Sequence, residues 1–244
     1  MSPKVEVALE VGSKRTFATA LDRPGWCRSG RDEAGALDAL LAYAPRYAAV
    51  LGAHVRGFEQ PRSVSTFEVV ERIRGNASTE FGAPGTPPGG DERPSTSRDL
   101  ARLEAILRAC WAAFDAEARS AEGVELRTGP RGGGRDLAKI RAHVAESDRA
   151  YLGKLGGKAP RGANPEEIRE AYVQGLSARA RGDLPDFGPR GGARWWPRFA
   201  VRYAAWHPSI TPGRSRIEPE PANARRPGPD ATSSRSPAGE DGEP

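Results

Sequence analysis

Residues 136–156 read DLAKIRAHVAESDRAYLGKLG, and the spacing of their apolar side chains decides how the rest of the chain is read. Leu137, Ile140, Val144, Tyr151 and Leu155 recur at intervals of three, four and seven, a helical stripe with no strand alternation. The spacing predicts a helix over residues 135–155, entered from a glycine-rich turn at Gly132-Gly133-Gly134. A stripe of this kind is stable only against other helices, and the flanking sequence supplies them. Residues 98–120 carry Leu100, Leu103, Ile106, Leu107, Cys110, Trp111 and Phe114 on one face, with Ser97 placed to cap. Asn164-Pro165-Glu166-Glu167 has the chemistry of a helix start: a cap, a proline at the first position, then acids against the dipole. That helix is expected to reach about Ala180, and Trp195 to His207 reads as a fourth. Short connections between four such helices predict an antiparallel four-helix bundle over residues 98–207.

Toward the N-terminus the period changes. KVEVALEV, residues 4–11, alternates polar and apolar positions as a half-buried strand does. Gly12-Ser13-Lys14 signals a turn, and residues 15–21 read as a second strand closed by Asp22-Arg23-Pro24-Gly25. An amphipathic helix follows from Asp32, with Ala36, Leu37, Leu40, Leu41, Tyr43 and Ala44 on one face. Tyr47, Val50 and Leu51 continue that face beyond Pro45, and TFEVVERI, residues 66–73, reads as another strand. This β-β-α-β unit over residues 1–80 is too small to close its own core and needs a partner for its open face. FGAPGTPPGGDERPSTS, residues 81–97, has the composition of a linker, so the domain boundary is placed there. The fold class is α+β. After His207 the order Pro208-Ser209-Ile210-Thr211-Pro212-Gly213 ends the helical period, and residues 208–244 have the composition of a disordered tail.

Composition narrows the function classes. Of 244 residues 29 are Gly and 22 Pro, gathered at the turns, the linker and the tail. Arg far outnumbers Lys, and Ala, Gly and Pro are abundant, the bias of a GC-rich coding sequence. The net charge of +5 is spread, with acids such as Asp32-Glu33 and Glu166-Glu167 interleaved, which argues against a nucleic-acid patch. Cys27 and Cys110 are the two cysteines, with no CxxC pair, so neither a disulfide framework nor a thiolate zinc site is expected. The N-terminus has no signal-peptide core, and no run approaches the roughly 20 apolar residues of a membrane span. A cytoplasmic, non-membrane protein is therefore expected.

Three histidines are available: His54, His143 and His207. A helical histidine is by default a core or surface residue, and His54 reads as structural. Residues 136–156, followed by RYAAWH at 202–207, resemble DinB-like proteins, a superfamily that includes mycothiol-dependent enzymes; the resemblance covers residues 97–207. It implies that His143 is the first and His207 the second ligand of a three-histidine site for a divalent metal, Zn or Ni. The third histidine would lie one turn after His207, because residues four apart share a helix face. Three imidazoles leave an open position for water or a low-molecular-weight thiol. The implied activity is metal-dependent hydrolysis or thiol-dependent transfer.

Position 211, where the third ligand belongs, holds Thr211. Synonymous codons for SITPGRSRIE, residues 209–218, can be chosen so that reading one base earlier gives Leu-Asp-His-Ala-Trp-Glu-Ile-Glu-Asp-Arg. That alternative is amphipathic, free of proline, and returns a histidine one turn after His207. Residues 208–244 are accordingly read as a frameshifted translation, and the metal site of this chain as incomplete. Glu146 is either a hydrogen-bonding partner behind the site or a surface acid. Trp195 and Trp196 are either pocket walls or core, and Gly132-Gly133-Gly134 is a turn rather than an anion cradle. Residues 4–52, with ALDRPGWCRSG between the second strand and the helix, resemble the HicB-type antitoxin fold. That resemblance implies a protein or RNA partner, and with it a second reading: a non-enzymatic binding protein.

Overall fold

Strand β1, Val5–Val11, forms the spine of a mixed sheet. The Gly12 amide donates to the Arg15 carbonyl at 2.9 Å, closing the turn into β2, Thr16–Ala20, which runs antiparallel to β1. A third strand, β3, Cys27–Gly30, not expected from the residue pattern, adds antiparallel to β2. Helix α1, Glu33–Leu51, then crosses over, and β4, Phe67–Arg74, returns parallel to β1, so the order is β3-β2-β1-β4. The computed structural model describes residues 4–52, 54–55, 57–123 and 136–210. The readings of Gly132-Gly133-Gly134 and of residues 211–244 lie outside them.

Helix α1 starts hard against β3. The Asp32 carboxylate accepts from the Gly35 amide at 2.8 Å. A Cβ on Gly30 would fall 2.2 Å from the backbone of Gly35 and Ala36, so only glycine allows this approach. Val7, Leu9, Ala18 and Ala20 point from the sheet toward Ala36, Leu40, Ala44, Tyr47 and Leu51 of α1. Trp26 is buried among them. Its indole N–H donates to the Leu40 carbonyl at 2.9 Å and Tyr47 donates to the Pro24 carbonyl at 2.8 Å, so both rings are buried with their polar ends satisfied.

The other sheet face presents Ala8, Glu10, Thr19 and Cys27 to Phe199, Arg202, Tyr203 and Trp206. These belong to α6, Pro197–Ile210, the last helix among the described residues and the partner the N-terminal unit requires. Before it come α2, Ala77–Phe81; α3, Ser97–Ser120; α4, Leu137–Leu155; and α5, Pro165–Arg181. Helix α3 packs on α6 and α5, and α4 packs on α5 and α6. The chain is thus α+β, a four-stranded sheet followed by helices.

Several local expectations are corrected. Helix α3 is capped by Thr96, whose hydroxyl accepts from the Asp99 amide at 3.1 Å, and not by Ser97. Helix α6 begins at Pro197 rather than Trp195, and it continues through buried Pro208 to Ile210 instead of ending at His207. Proline removes one donor, but so close to the end of the helix few intrahelical bonds depend on it. Ser209 donates its hydroxyl to the Trp206 carbonyl at 2.6 Å, closing the last turn.

The segment read as a linker is itself packed. Glu10, 4% exposed, accepts from the Gly85 amide at 3.1 Å, the Thr86 amide at 3.2 Å and the Thr79 hydroxyl. A short 3-10 turn, Gly89–Glu92, places Asp91 beneath Arg202. Core residues of the sheet, α1, α3, α4, α5 and α6 form one continuous apolar cluster across the expected boundary. No described helix is long and apolar enough to cross a membrane.

Candidate functional site

The packing of α4 against α6 brings His143 and His207 together. Their ring centroids lie 5.1 Å apart with the planes inclined at 59°. Tyr151, two turns along α4 from His143, meets His207 edge-on at 5.7 Å and Tyr203 at 5.1 Å. Trp195 stacks on Tyr151 at 5.6 Å, so aromatic rings wall the pair on one side. Both histidines are half-buried. Burial, and secondarily the neighbouring His143, push the His207 pKa from 6.5 down to about 4. At neutral pH His207 is therefore an uncharged imidazole, the form that binds metals. Burial likewise raises the Tyr151 phenol well above its ordinary range, so it stays protonated.

These two imidazoles are the side chains that could hold a single ion, which would need about 2.0 to 2.1 Å to each nitrogen. A third donor is not found: among the described residues no group of three His, Cys, Asp or Glu side chains could hold a metal. Glu146 is a surface acid, 76% exposed and 3.7 Å from Arg149. Burial pushes the Cys110 thiol up to about 12 and the Cys27 thiol to about 11, so neither is a thiolate at neutral pH. His54 is exposed in the turn after α1, where its amide donates to the Leu51 carbonyl at 3.0 Å. Trp195 belongs to the aromatic wall, whereas Trp196 is 38% exposed and lies against the Arg179 guanidinium.

A second polar constellation lies on another face of α4. Asp148 is 1% exposed, and among the described residues neither of its carboxyl oxygens has a hydrogen-bond partner. The Arg169 Nε on α5 is 3.9 Å from Asp148 Oδ2, but the guanidinium fork is committed to Asp115 on α3, at 2.5 and 3.0 Å. Burial pushes the Asp148 pKa up from 3.8 to about 7. Arg169 and the Trp111 indole oppose that rise, and Asp115 adds to it. Trp111 favours the ionised form without making a formed hydrogen bond, since its Nε1 also lacks a partner among the described residues.

The histidines were visible in the sequence; this carboxyl was not recognised. Its signal was present in residues 136–156, because Asp148 stands in the apolar register between Val144 and Leu152, each four residues away. An acid in that register must be buried with the stripe.

Comparison with protein-family models, with curated proteins and with solved structures gives no match.

Proposed function

We propose that this chain is a DinB-like protein that binds a divalent transition metal, Zn or Ni, through His143 and His207. The observation that supports this is the 5.1 Å approach of the two imidazoles, which sit on separate helices and are the two histidines that the DinB-like resemblance marks as ligands. A bound metal would supply Lewis-acid activation of a water or a low-molecular-weight thiol, the basis of a hydrolase or thiol-dependent transferase. The chain's own residues hold His207 neutral by burial and screen the pair behind Tyr151, Tyr203 and Trp195. With two donors in place of three, affinity is weak and catalysis is not sustained by this chain as it stands.

The donor count also favours a second reading, a non-enzymatic binding protein whose HicB-like N-terminal part engages a protein partner. Calorimetric titration of the full chain with ZnCl₂ and NiCl₂ decides between them. One weak site, abolished in both His143→Ala and His207→Ala, supports the metal reading. No heat at all, or binding unchanged in both variants, overturns it.

A further inference from the structure

Asp148, Arg169 and Asp115 place one guanidinium between two carboxyl groups, one buried and one partly exposed. Arg169 joins both: its fork holds Asp115, and its remaining Nε, buried and without a partner among the described residues, is the atom nearest Asp148. Trp111 presents a second buried N–H without a partner among the described residues, and its ring lies under the Arg169 guanidinium at 5.4 Å. Two donors and one carboxyl, all buried and all unsatisfied at one helix junction, are more than a single structural lapse. A carboxylate there has two N–H groups to recruit. A protonated acid leaves Arg169 to Asp115.

The geometry points to a proton-operated latch at the α3–α4–α5 junction, in which Asp148 and Asp115 compete for Arg169. With Asp148 protonated, Arg169 ties α5 to α3 through Asp115. When Asp148 releases its proton to solvent, the new carboxylate draws the Arg169 Nε and the Trp111 indole N–H toward α4 and loosens that tie. The groups facing Asp148 are few: Trp111 and Asp115 from α3, Arg169 and Tyr172 from α5, and Tyr151 from its own helix. Tyr172 is buried, donates to the Ala200 carbonyl of α6 at 3.0 Å, and remains protonated. The exchange therefore runs between the two aspartates and one arginine. Burial holds the Asp148 proton into the neutral range, which sets the latch where modest pH changes move it.

The test is infrared difference spectroscopy on the full chain across a pH titration, following the carbonyl stretch of a buried protonated carboxyl, with near-ultraviolet circular dichroism reporting Trp111. The wild type shows that band at low pH and loses it with a midpoint near neutrality, the tryptophan signal changing in step. Asp148→Asn abolishes both changes. Asp115→Asn, at a position about one-third exposed, lowers the midpoint by about half a pH unit or more, because Arg169 is then free to serve Asp148. A band that survives in Asp148→Asn overturns the assignment. A midpoint that does not move in Asp115→Asn overturns the competition and leaves only a buried acid.

Discussion

Arg202 of α6 meets Asp91 of the 89–92 turn as a buried fork, Nε to Oδ2 at 2.9 Å and Nη2 to Oδ1 at 2.5 Å. The same guanidinium donates to the carbonyls of Ala20 at 3.1 Å and Leu21 at 3.0 Å. One side chain thus ties the last helix to the end of β2 and to a segment whose composition suggested a free linker. Removing one member of such a pair leaves the other charge buried without compensation, which costs about 3 to 5 kcal/mol. Asp91→Ala is expected to lower the urea midpoint by an amount of that order. Arg202→Lys, keeping the charge but not the fork, should also destabilise the protein.

Because the apolar cluster runs through the sheet, α1 and α3 to α6, the two halves should unfold together. Tryptophan fluorescence of a variant retaining only Trp26 reports the sheet, and far-ultraviolet circular dichroism reports the helices. Coincident urea transitions are expected, as for one cooperative unit. Two separated transitions would show that residues 1–80 and the helices fold independently.

Asp148 of α4 and His207 of α6 act oppositely on stability. The folded pKa of His207, about 4, lies below its ordinary 6.5, so its contribution is present above about pH 6.5 and is lost as pH falls through about 4. Asp148 has a folded pKa of about 7, above its ordinary 3.8, so its contribution is present below the latter and is lost as pH rises through about 7. Between those limits the two slopes cancel in large part, each bounded by about 1.4 kcal/mol per pH unit. Urea midpoints of chelator-treated protein should be nearly flat there in the wild type, rise with pH in Asp148→Asn, and fall with pH in His207→Gln.

Restoring the alternative reading frame tests the metal site without disturbing the pair. Replacing the residues after position 208 with Leu-Asp-His-Ala-Trp-Glu-Ile-Glu-Asp-Arg continues a helix that already runs to Ile210. The new histidine falls one turn after His207, on the same face. Affinity for Zn²⁺ should rise at least about tenfold, equivalent to about 1.4 kcal/mol. The gain should vanish when His143→Ala is added. Unchanged affinity in the restored chain would return His143 and His207 to the role of packed helix residues.

The elements whose evidence is local were legible from residue spacing alone. The alternation of β1, the period of α1, the stripe in residues 136–156 and the cap-proline-acid start of α5 are short-range features, and each became the element it indicated. His143 and His207 were singled out by the DinB-like resemblance of their segments, since a histidine on a helix is by itself an ordinary core or surface residue. What the chain could not announce is which surfaces meet. Cys27–Gly30 is too short to show an alternation, and it is a strand because β2 offers it an edge. The segment 81–97 looks like a linker until Glu10 and Arg202, far away in sequence, satisfy its amides and its aspartate. The apolar register placed Asp148 with the buried stripe, but only the closing of α3 and α5 over it set which groups face its carboxyl. Periodicity records how a segment folds on itself, whereas burial, charge pairing and the approach of two imidazoles depend on partners brought together only when the chain collapses.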